Sequence, residues 1–155
     1  MDRKGLCLLV IIVVVIGSDA VSFYYMLFCI FKWLMTKQQF KNSAKMLKKQ
    51  CMTKNDVTEE MIGSIEKGKF IEDKQVMCYI ACIYQMSQII KNNKISYEAS
   101  IKQIDLMYPP EVKEGAKISA TNCKDVAQKY KDICEASYWT CKCMYDDNPK
   151  NFIFA

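Results

Sequence analysis

From Thr36 onward apolar residues recur at spacings of three and four, with no convincing alternation of period two, so an all-α fold is expected. Thr36 opens a first helix whose Phe40, Ala44, Leu47 and Cys51 share an inward face. Asp56 followed by Glu59 has the form of a capping box, starting a short helix with Met61, Ile62 and Ile65 that Gly68 closes. The next helix begins near Asp73 and runs through VMCYIACIYQMSQII to Ile90. It is apolar around most of its circumference, which predicts the most buried helix. Lys91 to Lys94, with two asparagines, form the turn after it. Ser96 caps a helix carrying Ile101, Ile104 and Met107, which stops before Pro109 because the residue preceding a proline is pushed out of helical geometry. Pro110 suits the first turn of another helix reaching about Asn122, and a last helix spans Ala127 to Met144. A polar turn at Pro149 leads into the apolar tail Phe152-Ile153-Phe154-Ala155.

A chain of 155 residues holds one domain, and nine cysteines are many for that length. The opening residues suggest their compartment. Arg3 and Lys4 precede an apolar run from Leu6 to Gly17, and Ser18 and Ala20 are small residues placed like a cleavage site, so residues 1–20 read as a secretory signal. Secretion leads to an oxidising space where cysteine pairs persist as disulfides. Val21 to Met35 is apolar again, which leaves three readings open: cleavage after Ala20, cleavage nearer residues 31–34, or an uncleaved anchor from Leu6 to Leu34. Asp19 opposes the anchor, since a charge at mid-span costs about 3 kcal/mol on insertion. A membrane partner is expected only if the leader stays attached.

Charge and histidine content narrow the function. The net charge of +5 is mild and unclustered, whereas a nucleic-acid binder gathers its basic residues on one face, so no nucleic-acid partner is expected. With no histidine, the commonest general base, zinc ligand and triad member are missing. The acidic pairs Glu59-Glu60 and Asp146-Asp147 are sequence neighbours suited to helix starts and turns rather than catalysis. The chain is expected not to be an enzyme and to need no metal or cofactor.

After the leader the cysteines fall at 51, 78, 82, 123, 134, 141 and 143, and without Cys141 the pattern is C-x26-C-x3-C-x40-C-x10-C-x8-C. Six cysteines permit fifteen pairings. Cys78 and Cys82 share a helical face and are each better placed to reach a neighbouring segment than one another. Cys134 and Cys143, nine apart, face roughly opposite ways and reach different partners. Cys141 lies seven after Cys134 on about the same face. It is open to three roles: a half-buried unreactive thiol, an intermolecular partner, or the bonded residue in place of Cys143.

This spacing resembles the six-cysteine signature of the insect odorant-binding and pheromone-binding proteins, over residues 35–155. MTKQQF, MCYIAC around the central pair, YPPEVKEG and DDNPKNFIF are also similar to that family, with the LUSH-like subgroup the nearest match. The resemblance implies six helices around an apolar cavity, stapled by Cys51–Cys82, Cys78–Cys134 and Cys123–Cys143. It implies a secreted, extracellular carrier, monomeric or weakly dimeric. Such a carrier reversibly binds hydrophobic odorants or pheromones, such as longer-chain esters, aldehydes, alcohols or fatty acids, and delivers them to chemosensory receptors.

The resemblance also suggests the pocket. Alcohol-binding relatives carry small hydroxyl residues two and seven positions after the third cysteine, where this chain has Tyr84 and Ile89. That departure points away from short alcohols, while Tyr84 keeps one hydroxyl for a ligand. In relatives the C-terminal tail walls the cavity, which assigns Phe152 and Phe154. Ile80, Ile101, Ile104, Met107 and Met144 complete the candidate lining, each equally compatible with ordinary core packing. Acid release through histidine is closed, so a pH switch would fall to Asp146 and Asp147 beside the tail. Two other functions fit the same features: non-olfactory transport of lipids or hormones, and a secreted or membrane-tethered disulfide scaffold that binds a protein.

Overall fold

The computed structural model describes residues 37–154, with side chains from Asn42, and the compact unit runs from Phe40 to Ala155. The leader, its alternative cleavage sites, the Thr36 cap and the Phe40 side chain lie outside the described residues. Six α-helices follow one another: α1 (Lys37–Asn55), α2 (Glu59–Ile62), α3 (Lys74–Met86), α4 (Tyr97–Met107), α5 (Pro110–Asn122) and α6 (Ile133–Asp147). Single 3-10 turns at Ile65–Lys67 and Ala127–Lys129 precede α3 and α6. Among the described residues no helix is long and apolar enough to cross a membrane.

The central helix is α3, with Val76, Tyr79, Ile80 and Cys82 to Tyr84 all buried. Its principal neighbour is α6. Lys74 reaches Asp132, Cys78 bonds to Cys134 and Tyr84 meets Cys141, so the contacts advance together and the two helices run side by side in parallel. Tyr79 and Tyr138 are fully enclosed where they pack. Burying a large apolar side chain stabilises by about 1.5–3 kcal/mol, so this pair of helices forms the mechanical spine of the unit. A smaller cluster of Ile104, Ala116 and Ala120 joins α4 to α5.

All three disulfides implied by the resemblance are present. Cys51 of α1 is bonded to Cys82, Cys78 to Cys134, and Cys123 to Cys143, with Cα separations of 5.7, 4.5 and 5.9 Å. Cys78 and Cys82 thus tie one helix to two neighbours, and Cys134 and Cys143 tie α6 to two others. Cys141 is unbonded and fully buried, more so than the half-buried thiol expected.

Several local starts follow the sequence rules. Asp73 caps α3 by accepting from the amides of Gln75 and Val76 at 2.8 and 3.3 Å, Ser96 caps α4 through Ala99, and Pro110 occupies the first turn of α5.

Three expectations are corrected. Asp56 does not cap α2: it takes a positive φ of 52°, the helix starts two residues later at Thr58, and Glu59 pairs instead with Lys48 at 2.7 Å. The central helix ends at Met86 rather than Ile90. Gln88 adopts the left-handed conformation (φ 59°), and the Ile89 amide bonds back to the Tyr84 carbonyl at 2.9 Å, closing the helix as a Schellman motif. Ile90–Lys91 then pairs antiparallel with Lys94–Ile95 through a turn in which Asn92 and Asn93 both have positive φ. The last helix begins at Ile133 rather than Ala127. Asp132 accepts the Glu135 amide at 3.0 Å, and Lys74 beside it holds the Asp132 carboxyl below the usual carboxylate range.

Candidate functional site

The C-terminal tail turns back after α6 and covers the open end of α3 and α4. Gly115 makes the crossing possible, because the Asn151 side chain lies where any Cβ at position 115 would stand. Gly68 plays a similar part under the Tyr145 ring and has a φ of 81°, which L side chains rarely adopt. Tyr108 anchors the tail by donating from its hydroxyl to the Ile153 carbonyl at 3.1 Å. Phe152 and Phe154 stack at 6.2 Å, Phe154 meets the Tyr79 ring edge-on, and Phe152 meets Tyr145 and Phe70. Phe154 is thereby buried.

Two adjoining lobes of a cavity lie between the helices, the larger of them beneath the tail. The larger, about 90 Å³, is walled by Ala44 and Leu47 of α1, Ile83 and Tyr84 of α3, Met107 of α4, Met144 of α6, and the tail residues Phe152, Ile153 and Phe154. Ser87, Ile89, Gln103 and Tyr108 complete it. The smaller, about 60 Å³, shares Tyr84, Ile89, Gln103, Tyr108 and Met144 with the first and adds Ile95, Tyr97, Ser100, Ile104, Ala120, Lys124 and Thr140. Apolar surface dominates both lobes, and the second carries more hydroxyls.

Of the candidate pocket residues, Tyr84, Ile89, Ile104, Met107, Met144, Phe152 and Phe154 border these lobes. Ile80 is wholly buried in the core and Ile101 packs against the α4–α5 cluster, and neither borders either lobe. Ser100, Gln103 and Thr140 were missed by the sequence reading. Each stands one helical turn before a residue already assigned, namely Ile104, Met107 and Met144, so the i, i+4 spacing was the available signal.

The electrostatics are those of an apolar container. Burial pushes the Tyr84 and Tyr108 hydroxyls well above the ordinary tyrosine range, and Cys141 up to about 12. Tyr84 and Cys141 hydrogen-bond to each other at the boundary of α3 and α6. Among the described residues no carboxylate borders either lobe and no cluster of potential metal ligands occurs. Asp147, one of the acids considered for a switch, accepts from Ser119 at 2.6 Å and Asn122 at 2.8 Å, which holds it below the usual carboxylate range. It stays ionised in mild acid. Asp146 pairs with Lys142 on the surface at 2.6 Å.

Comparison with known proteins agrees with this architecture. The PBP/GOBP family model matches residues 34–147. General odorant-binding protein 72 of Anopheles gambiae is 34% identical over 119 residues, covering 77% of this chain and 98% of that protein. Among solved structures, odorant-binding protein 4 of Chrysopa pallens superimposes with a TM-score of 0.71 at 34% identity, covering 79% of this chain and all of the other. Odorant-binding protein 5 of Apis mellifera gives 0.66 at 27% identity over 78% of this chain and 98% of its own. An all-α, three-disulfide unit closed over an apolar cavity, matched along nearly the whole length of these relatives, belongs to the PBP/GOBP family of odorant-binding proteins, carriers of small hydrophobic ligands rather than enzymes.

Proposed function

We propose that the protein is an extracellular carrier of odorants or pheromones, taking longer-chain esters, aldehydes, alcohols or fatty acids and delivering them to chemosensory receptors. The observation that carries this reading is the pair of lobes, the larger covered by the tail and apolar where Phe152, Phe154, Leu47 and Ile83 meet. Three disulfides support an oxidising destination, and with it removal of residues 1–20 as a signal. A ten-carbon chain gains about 0.8 kcal/mol per buried CH₂, roughly 8 kcal/mol before ordering losses, which sets about micromolar affinity as the ceiling before hydrogen bonds are added. Reversible transport needs no tighter grip.

Displacement of a fluorescent apolar probe by C8 to C18 alcohols, aldehydes, esters and fatty acids tests the reading. Displacement at micromolar concentration is expected. No displacement by any of them would favour a disulfide scaffold that binds a protein.

A further inference from the structure

Three buried side-chain hydroxyls among the described residues have no hydrogen-bond partner: Ser137, Tyr138 and Thr140. Ser137 and Tyr138 face the packed interior, but Thr140 borders the smaller lobe while only 8% exposed. An unpaired buried hydroxyl is unfavourable by roughly 1–3 kcal/mol, so one kept in a cavity wall calls for a partner. The other hydroxyls of the smaller lobe are engaged. Tyr84 bonds to Cys141, Tyr108 to the Ile153 carbonyl, Tyr97 to Thr121 at 3.0 Å and Ser100 to the Ser96 carbonyl at 2.9 Å.

We infer that Thr140 is the polar anchor of the ligand site, receiving a neutral oxygen function, a hydroxyl or a carbonyl, in the smaller lobe while the ligand's hydrocarbon chain fills the larger lobe under Phe152 and Phe154. This deepens the carrier reading and rests on it. A hydroxyl both donates and accepts, so Thr140 meets an alcohol, aldehyde or ester equally well. A carboxylate is disfavoured there, because among the described residues the one cation on that lobe, Lys124, has an exposed side chain, and a buried charge requires a close partner. The anchor therefore sits on α6, one residue before Cys141, the thiol bonded to Tyr84.

The test compares dodecan-1-ol, dodecyl acetate, dodecanoate and dodecane as displacers of one fluorescent probe, using wild type, Thr140→Val, Thr140→Ser, Ser137→Ala and Tyr84→Phe. Thr140→Val is expected to weaken the alcohol and the ester about three- to tenfold while leaving dodecane unchanged, the span of one net hydrogen bond. Thr140→Ser keeps the hydroxyl and retains the preference, and Ser137→Ala changes no affinity. An equal loss for dodecane and dodecan-1-ol in Thr140→Val would assign Thr140 to packing and overturn the anchor. So would an unchanged alcohol affinity, loss of the alcohol preference on Tyr84→Phe instead, or tightest binding of dodecanoate. If wild type binds none of the four compounds, the carrier reading itself fails and the anchor with it.

Discussion

Tyr84 of α3 and Cys141 of α6 are hydrogen-bonded to each other inside the protein, so the free cysteine and the tyrosine on the cavity wall form one unit. Cys141 has no exposed surface, and burial pushes its thiol up to about 12. At pH 8 the thiolate, the reactive form, is then about one part in ten thousand. Iodoacetamide is expected to leave Cys141 unlabelled in the native protein and to label it fully in denaturant, read by peptide mapping. Ready labelling without denaturant would show that the α3–α6 contact opens. Tyr84→Phe removes the bond and should lower the unfolding free energy by about 1 kcal/mol in urea titration.

The staples close loops of different size, with sequence separations of 31, 56 and 20 for Cys51–Cys82, Cys78–Cys134 and Cys123–Cys143. In the chain-entropy account the longest loop contributes about 4 kcal/mol and the shortest about 3. A lobe of about 90 Å³ sets against this a cavity penalty of about 2 kcal/mol. Paired Cys→Ala variants measured by urea unfolding should rank with loss of Cys78–Cys134 largest and Cys123–Cys143 smallest. The reverse order would mean that native contacts, not the unfolded chain, decide the effect.

The fold was legible wherever a rule acts within one turn or two. The spacing of apolar residues marked α3, Ser96 and Pro110 marked the starts of α4 and α5, and the family cysteine spacing implied all three pairings. The misses share a cause: residues that read equally well as helix were diverted by backbone conformation. Gln88, Asn92 and Asn93 adopt positive φ and turn the end of the central run into a hairpin, which no hydrophobic pattern announces. The capping box assigned to Asp56 and Glu59 occurs in form at Asp132 and Glu135, where Lys74 from another helix reinforces the start. In the cavity, apolar lining was legible from helix faces. The unpaired Thr140 was not, because whether a hydroxyl finds a partner depends on elements distant in sequence.

The tail is attached by side-chain packing and a long-range hydrogen bond, Tyr108 to Ile153, rather than by regular structure. Deleting residues 152–155 removes three walls of the larger lobe. Ligand affinity is expected to fall at least tenfold, since the chain end of a bound ligand would face water. Far-UV circular dichroism should stay near the wild-type helical signal, because the tail contributes no helix. Undiminished binding by the shortened protein would place the ligand elsewhere.

Acidity offers a last separation of mechanisms. Among the described residues, the side chains around both lobes are apolar, neutral and polar, or tyrosines whose ionisation burial moves upward, with Lys124 at the edge and no carboxylate. There is no histidine to change charge between pH 7.5 and 5. Affinity for a neutral ligand should therefore differ less than twofold across that range. The acid that ties α6 to α5 titrates lower still. Asp147 is held below its ordinary value of 3.8 by Ser119 and Asn122. Its stabilisation is present above about pH 4 and lost as pH falls through the lower, folded-state value. Asp147→Asn should thus be less stable than wild type at pH 7 and at pH 5 alike, with the gap closing only below pH 4, in thermal unfolding followed at each pH. A tenfold fall in affinity between pH 7.5 and 5 in the wild type, abolished in Asp147→Asn, would restore this carboxylate as the release switch. The two hydrogen bonds it accepts at the α5–α6 junction argue that it is a fixed clasp instead.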